Sequence, residues 1–401
     1  MAKDKAGLSG LFARLEDYLR GDPTVQQSDL AALVEPMSGP ALVALSQSLR
    51  NHPMSVGFLW AHLDWQQAER LLSRSTDATL AALLSLHRNG FVREVATRAL
   101  ALDDGPLATR ALLLRLDDVV EGIRRLAAEA IARRMVPGKE RVFVSMAFLL
   151  NALARRRRAG TGPALPGLVA YLTAPVARDA LFEATASPEP LVRLSSLRWL
   201  LPAAGGDLRR DLLGRALGDP DPEIARWAVV ELTSSRCPPS VQRALLPRIE
   251  GHRSAELRRR AVLARGRLGD VDAVRLAMLD RSAAVRHAAR EKYAALGGVT
   301  DTRTLCREAL SEDPPRARLL GAIAALGDAG LHDDLALLSP FLRSSDPAVR
   351  AEAVRTAGRL GGDAEVEAAL TDPSARVRRE AQRACGAPGR DASRPERRGR
   401  P

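Results

Sequence analysis

Apolar residues recur along this chain at helical spacing, and one short repeated phrase carries that spacing. From Arg281 the chain reads Arg-Ser-Ala-Ala-Val-Arg-His-Ala-Ala, and from Ser345 it reads Ser-Asp-Pro-Ala-Val-Arg-Ala-Glu-Ala. In each copy the valine and the small residue four positions after it fall on one face of a helix with 3.6 residues per turn. The seventh position, which is Thr356 in the second copy, lies on the same face. Each copy therefore predicts a helix with one buried, apolar stripe.

An aliphatic residue followed by arginine, with a small residue four positions after the aliphatic one, marks seven places in the chain. Asp-Pro or Ser often precedes the stripe and is a helix-start signal, while Leu-Gly after it is a helix-end signal. A fixed period of about 30 residues is typical of arrays in which each unit packs only on its neighbours. The seven pairs are Val92-Arg93, Ile123-Arg124, Val192-Arg193, Leu257-Arg258, Val285-Arg286, Val349-Arg350 and Val377-Arg378.

Shorter apolar segments separate the marked helices, so each unit is expected to be an antiparallel pair of helices. One copy is irregular, because the arginine after Ile224 is shifted by one position to Arg226. In another copy either Arg316 or Arg318 is the equivalent residue. The shorter partner helices are expected at Asp207 to Leu217, Val241 to Ile249, Val271 to Leu279 and Ala364 to Leu370.

These patterns predict an all-α fold, an α-solenoid of stacked helix pairs, divided into three segments. Residues 1–86 are expected to form a helical N-terminal cap with degenerate repeats, and residues 87–385 the repeat solenoid. Residues 386–401 are rich in Gly, Pro, Ser and Arg and are expected to be a disordered tail. In the first segment, helices are expected at Leu8 to Leu19, Ser28 to Val34 and Ala41 to Leu49.

Composition and charge fit this fold and leave two interpretations of the partner open. Hydrophobic residues make up 46% of the chain and aromatic residues 3%, and strand-forming residues are scarce. The formal net charge is +12, carried almost entirely by arginine. Such an excess can neutralise the phosphates of a nucleic acid or bind an acidic protein. We favour the alternative that most arginines pair with the 48 interleaved acidic residues.

The remaining composition argues against a secreted, membrane or metal protein. Cys237, Cys306 and Cys385 are far apart and odd in number, which indicates neither a disulfide framework nor a zinc site. The N-terminus has no apolar core of a secretory signal, and the most apolar run, from Val142 to Ala154, is too short to span a bilayer. We therefore expect a cytoplasmic protein with no cofactor, no metal and no membrane contact.

The phrase Asp-Pro-x-Val-Arg-x-x-x-Ala, closed by Leu-Gly, resembles HEAT repeats, particularly the short bacterial type also found in phycobilin lyases. The resemblance covers roughly residues 88–385. It implies a curved right-handed superhelix whose second helices line a concave surface. It also implies that the aspartate and the arginine of the phrase bridge adjacent repeats.

Two roles are open for the arginines, which recur once per repeat and should form a ladder. They could bind phosphates or an acidic partner, with Arg193, Arg226, Arg258 and Arg286 as the candidate residues. Alternatively they could form an internal Arg–Asp network that holds the repeats in phase, and the resemblance favours this role. The aspartates available at the helix starts are Asp219, Asp280, Asp313, Asp346 and Asp372.

Two further groups are candidate partner-binding residues. The run Arg155, Arg156, Arg157 and Arg158 places four adjacent like charges in one segment, which could be a solvated helix end or an electrostatic docking patch. Trp199 and Trp227 lie on marked helices beside arginines and could anchor a partner side chain or stack on a base, although core packing is the simpler role.

The sequence contains no Walker loop, nucleophile elbow, Gly-x-Gly-x-x-Gly or His-Glu-x-x-His motif, so we expect a protein that is not an enzyme. The leading hypothesis is a protein–protein interaction scaffold with protein partners, acidic ones in particular. The alternative is a DNA- or RNA-binding protein, such as the HEAT-like alkylpurine DNA glycosylases that hold duplex DNA on a basic face. A chromophore lyase ranks last, because no residues are found that would carry that reaction.

Overall fold

The computed structural model describes residues 2–51, 57–75, 77–153, 164–299, 301–312 and 314–386. It divides into two compact units, Met1–Leu212 and Leu213–Pro401. Within the described ranges every regular element is helical and no strand is present, so the fold is all-α as predicted.

Two 3₁₀ turns accompany the described helices that begin in the first unit. A 3₁₀ turn at Pro175–Ala177 leads into α13, and another at Leu201–Ala203 follows α14. The helices are α1 (Ala2–Arg20), α2 (Gln27–Val34), α3 (Gly39–Asn51), α4 (Phe58–Ala61), α5 (Trp65–Leu72), α6 (Thr79–Leu84), α7 (Gly90–Leu102), α8 (Pro106–Arg115), α9 (Glu121–Arg134), α10 (Glu140–Ser145), α11 (Ala147–Leu153), α12 (Ala164–Thr173), α13 (Arg178–Ala184), α14 (Pro190–Leu200) and α15 (Gly206–Leu217).

The second unit also consists of shorter and longer helices. A 3₁₀ helix at His332–Leu338 leads into α24, and another at Ala369–Thr371 follows α26. The helices are α16 (Pro222–Leu232), α17 (Pro239–Leu245), α18 (Pro247–Glu250), α19 (Ala255–Arg267), α20 (Val271–Ala277), α21 (Ala283–Ala295), α22 (Thr302–Ser311), α23 (Arg316–Ala329), α24 (Ser339–Leu342), α25 (Pro347–Arg359), α26 (Asp363–Ala368) and α27 (Ala375–Cys385).

Every repeated phrase lies on the second helix of a pair, and these second helices pack side by side. In the first unit α8 packs on α9, and α7 packs on α9. In the second unit α20 packs on α21, α19 packs on α21, and α25 packs on α27. Short connections between neighbouring helices make the members of each pair antiparallel. The predicted α-solenoid of tandem helix pairs is therefore confirmed.

The apolar stripes of the phrase form the core of the second unit. Val285, Val349 and Val377 are at most 3% exposed and lie in one continuous hydrophobic cluster. The small residues four positions later, including Ala289 and Ala353, are fully buried in the same cluster. Small side chains let neighbouring helices approach closely, and each buried valine contributes about 1.5–3 kcal/mol.

Helices outside the repeated phrase also match the prediction, with one correction. The first three helices, α1 to α3, cover the three segments expected near the N-terminus. The helix expected from Val241 to Ile249 is instead two short helices, α17 and α18. The second begins at Pro247, whose ring removes a backbone N–H donor and ends the preceding helix.

One glycine fixes how closely two repeats approach in the second unit. Gly321 in α23 lies against the turn after α20, and a Cβ at this position would be 1.8 Å from the carbonyl oxygen of Leu279. No larger residue fits there without moving backbone. By contrast, Gly122 at the start of α9 has no atom within 4 Å of the position of a Cβ.

We predict that Gly321→Ala lowers the free energy of unfolding by about 2–3 kcal/mol, because overpacking costs more than the gain in helix propensity. Gly122→Ala, the matched control, should raise it by about 0.5 kcal/mol. Urea unfolding followed by circular dichroism measures both changes. Equal effects of the two substitutions would contradict the close approach.

A second fixed point is a buried carboxylate between two arginines. Asp334 is fully buried, and its carboxylate accepts hydrogen bonds from Arg303 Nε at 2.6 Å, Arg307 Nε at 2.9 Å and the Leu331 N–H at 2.8 Å. Burial raises the pKa of Asp334, but the bonds from Arg303 and Leu331 outweigh it and lower this pKa to about 2. Because the folded-state pKa lies below the unfolded value, the carboxylate stabilises the fold above about pH 4.

We predict that Asp334→Asn lowers the free energy of unfolding at pH 7 by about 2 kcal/mol. The difference between the variant and the wild-type protein should shrink as pH falls from about 4 to 2, since the wild-type carboxylate then takes up its proton. Urea midpoints measured at pH 7 and at about pH 2.5, close to the folded-state pKa of Asp334, test this. A difference that does not depend on pH would assign the loss to packing alone.

Candidate partner-binding clefts

The repeated arginines hold the turns inside their own helix pairs. Each donates a hydrogen bond from Nη1 to the backbone carbonyl six residues earlier, in the turn that precedes its helix. For Arg258 this acceptor is His252 at 2.7 Å, and for Arg350 it is Ser344 at 2.8 Å. The seven arginines with this bond are Arg93, Arg124, Arg193, Arg258, Arg286, Arg350 and Arg378.

Several of these arginines also bridge to the next helix pair. Arg258 binds both carboxylate oxygens of Asp280, at 2.7 and 2.8 Å, and Arg350 binds both of Asp372, at 2.9 and 3.0 Å. In the first unit Arg93 binds Asp118 in the same way, at 2.8 Å to each oxygen. Each of these aspartates stands five residues before the aliphatic residue of the next phrase. We call this regular set of Arg–Asp bridges the arginine ladder.

The other predicted ladder residues have different outcomes. Arg286 is buried and binds Asp328 in α23 at 2.6 Å, not an aspartate of the phrase. Asp346 binds Arg316 at 2.5 Å, and Asp313 lies outside the described residues. Hydrogen bonds from Arg350 lower the pKa of Asp372, as a close ion pair should. For the buried arginines these contacts support the internal network over partner binding.

The remaining predicted site residues have separate outcomes. Arg226 is exposed, and its one ion pair with a described residue is to Glu223 on its own helix, at 2.8 Å. Trp199 in α14 and Trp227 in α16 are both half-buried. Arg155 to Arg158 lie outside the described residues. Partner binding by these residues stays a prediction.

The second unit contains a cleft of about 330 Å³ between α19, α20 and the start of α23, which we call the large cleft. Its floor is apolar and includes Val262, Leu276 and Val285. Leu276 is 47% exposed, so an apolar side chain faces the opening. Asp280 also lines the cleft, but Arg258 already binds it.

A second cleft, of about 180 Å³, lies between α16 and α19, and we call it the small cleft. Leu217, Val229, Ile249 and Leu257 give it an apolar lining, and no carboxylate is among its lining residues. At its edge the ring of His252 accepts a hydrogen bond at Nδ1 from the Ser254 N–H. In a neutral ring the other nitrogen, Nε2, then carries the proton and can donate.

Three arginines around the two clefts have no carboxylate partner among the described residues. Arg248 at the small cleft donates to the Gly214 carbonyl, and Arg281 at the large cleft donates to the Arg253 carbonyl. The side chain of Arg318, which also lines the large cleft, has no hydrogen bond or ion pair to a described residue. The positive charge at the openings is therefore not neutralised within the described part of the chain.

Sequence reasoning missed both clefts, although signals for them were present. Arg281 begins one copy of the phrase, and the shifted arginine after Ile224 marks the repeat beside the small cleft. Clefts between helices depend on the distance between helix axes, which hydrophobic periodicity does not specify.

The described residues show no other chemistry that would define a site. They contain no group of three or more His, Cys, Asp or Glu side chains placed to hold a metal ion. Cys237 and Cys306 are buried thiols, and burial raises the pKa of Cys306 to about 12. Within the same ranges, no helix is both long enough and apolar enough to cross a membrane.

Comparison with known proteins gives one family. Residues 302–386 match the family model described as HEAT repeats. A search of the curated proteins found no significant match.

Several solved structures are similar in fold at low identity. A karyopherin, Kap121p, bound to the extreme C-terminus of the protein phosphatase Cdc14p is 12% identical, with a TM-score of 0.32 over 86% of this chain. Kap121p bound to Nup53p is also 12% identical, with a TM-score of 0.33 over 94% of this chain. The chain spans only 47% and 49% of those two chains. A microtubule polymerase with TOG domain arrays is 11% identical, with a TM-score of 0.23 over 82% of this chain and 99% of that one.

The arginine ladder predicts that two arginines of the second unit differ strongly in how much they contribute to the free energy of unfolding. Arg258→Ala should lower the free energy of unfolding by about 3 kcal/mol, because it leaves the Asp280 carboxylate without its counter-ion in a largely buried place. Arg226→Ala removes an exposed pair and should cost less than about 0.5 kcal/mol. Urea unfolding of both variants checks the difference. Similar losses for both would show that the ladder contributes no more than a surface pair.

Proposed function

Because the chain is an α-solenoid whose residues 302–386 match HEAT repeats, we propose that it is a non-enzymatic scaffold that binds an acidic segment of a partner protein at the large cleft. The observation that carries the proposal is the charge at the opening. Arg281 and Arg318 flank an apolar floor, and no carboxylate of the described residues neutralises them.

The chemistry of the large cleft is that of a protein-binding pocket. An apolar floor surrounded by a few polar groups is typical of such sites, because the floor supplies affinity and the polar groups supply orientation. The carboxylates that line it are already bound by arginine, Asp280 by Arg258 and Glu250 by Arg265. A partner carboxylate therefore meets free positive charge at the opening and no unpaired negative charge in the wall.

Protein is a better fit to this cleft than nucleic acid. Nucleic-acid affinity comes mainly from phosphate neutralisation along an extended basic surface, which gains nothing from an apolar floor. Here the ladder arginines Arg93, Arg258 and Arg350 already bind aspartates, so the ladder does not present them to phosphates. Nucleic-acid binding is therefore the alternative that the experiment must separate from the proposal.

We predict that benzoylphenylalanine, a photo-crosslinking residue, forms crosslinks to a protein when it replaces Leu276 in cells of the native host. The crosslinked band should be lost after protease but not after nuclease, and mass spectrometry should locate the crosslink in an acidic segment. The matched control places the same residue at Val230, which is 42% exposed and lines neither cleft.

Charge reversal tests the role of the arginines at the opening of the large cleft. Arg281→Glu with Arg318→Glu should abolish the crosslink from position 276, while Arg236→Glu with Arg243→Glu, an equal charge change at exposed positions, should preserve it. Circular dichroism confirms that both double variants are folded. Crosslinks to nucleic acid, to a basic segment, or equally from positions 276 and 230 would overturn the proposal.

A further inference from the structure

The small cleft lies where the arginine ladder is interrupted. In the repeat of α16 the position that is Arg258 in the next repeat is occupied by Ala225. The position that is Asp280 one repeat later is occupied by His252. Both members of one Arg–Asp bridge are therefore replaced at the same junction, and Arg226, one position later, binds Glu223 instead.

Electrostatics requires that the arginine and the aspartate of a bridge are replaced together. Losing only the arginine would leave a carboxylate unpaired between two helix pairs, and breaking such a pair is costly. Because Ala225 replaces the repeated arginine of α16, the turn before this helix lacks that arginine's bond and is shaped in another way. Pro220 and Pro222 restrict its backbone, and the Asp219 carboxylate accepts a hydrogen bond from the Asp221 N–H at 2.8 Å.

The second helices at the interrupted junction also contact each other less than those at the neighbouring junction. The second helices α19 and α21, which the Arg258–Asp280 bridge joins, pack closely along their length. The second helices α16 and α19 approach each other at far fewer positions. The space left between them is the small cleft of about 180 Å³, which is lined by Ala225 and His252 themselves.

The two clefts are equivalent surfaces of successive repeats. Gly218, Val229 and Leu257 line the small cleft at the repeat positions that Gly251, Val262 and Val285 occupy in the large cleft. They also share a wall. Arg248 and Ile249 face the small cleft, whereas the next residues, Glu250 and Gly251, face the large one. One ligand segment can therefore reach both openings.

We propose that the small cleft is a second subsite for the same partner, whose acidic segment lies in an extended polyproline II conformation with one apolar side chain in each cleft. This inference rests on the proposed function and adds the conformation and the spacing of the partner's side chains. The small cleft supplies only donors, Arg248 and the His252 ring, around an apolar lining, so carboxylates must flank its apolar side chain.

The spacing follows from helix packing. Neighbouring packed helices lie about 8–10 Å apart. A polyproline II segment has three residues per turn and a rise of 3.1 Å, so side chains at i and i+3 share a face about 9 Å apart. In a β-strand, side chains i and i+2 share a face only about 6.6 Å apart and those at i and i+4 about 13 Å apart. Apolar residues at i and i+3 therefore fit the two clefts.

Two isomeric fluorescent peptides test the spacing on the full chain. The first is Asp-Glu-Leu-Pro-Glu-Leu-Asp-Glu, with leucines at i and i+3, and the second is Asp-Glu-Leu-Pro-Leu-Glu-Asp-Glu, with leucines at i and i+2. Fluorescence anisotropy should show the first binding about tenfold tighter, because only it buries both leucines. Equal affinities for the two isomers would overturn the spacing.

Restoring the ladder tests the subsite. Ala225→Arg with His252→Asp should rebuild the bridge, place a long side chain where Ala225 now lines the small cleft, and leave the net formal charge unchanged. We expect the double variant to bind the first peptide about tenfold more weakly, no better than the second peptide. Ala225→Met, which fills the cleft with an apolar side chain, should weaken binding similarly and serves if the double variant does not fold.

The outcomes separate the two proposals. If the first peptide binds with full affinity to the folded filling variants, the small cleft is not a subsite, while the large cleft keeps its function. If neither peptide binds at about 1 mM and the Leu276 crosslink is also absent, the proposed function fails and this inference with it. Loss of tight binding in the filling variants alone supports the subsite.

Discussion

The guanidinium group of the repeated arginine holds this fold in phase. One of its nitrogens, Nη1, fixes the turn within a helix pair, and in Arg93, Arg258 and Arg350 two others grip an aspartate of the next pair. Planar, bidentate geometry makes such a bond directional, unlike the apolar contacts of the core. The valine and alanine stripes supply most of the burial energy, and the arginines determine the register in which repeats stack.

This use of arginine changes the meaning of the strong positive charge. A chain with a formal charge of +12 would ordinarily be expected to attract polyanions over its whole surface. Here many guanidinium groups are consumed by aspartate or by backbone carbonyls. Among the arginines that meet no carboxylate of the described residues, Arg248, Arg281 and Arg318 line the two apolar clefts. The local pairing of each arginine is therefore more informative than the net charge of the chain.

The sequence was sufficient to predict the helices but not the clefts between them. Periodicity predicted the helices at Val285, Val349 and Val377, and the recurrence of arginine predicted a ladder as one of two roles. The Asp328 partner of Arg286 lies outside the phrase and could not be read from it. Neither could the clefts, since they depend on how far apart neighbouring helices pack. The sequence shows that the arginine after Ile224 is displaced by one position, from 225 to Arg226. Only the structure shows that Ala225 lines the small cleft.

The interrupted rung at Ala225 and His252 suggests a route by which tandem arrays diversify. Two compensating replacements change the chemistry of one recessed surface from an ion pair to an alanine and a histidine, and they leave the apolar core untouched. The same pair of replacements could be engineered at another junction to vary what its surface binds while the stack of helix pairs is kept.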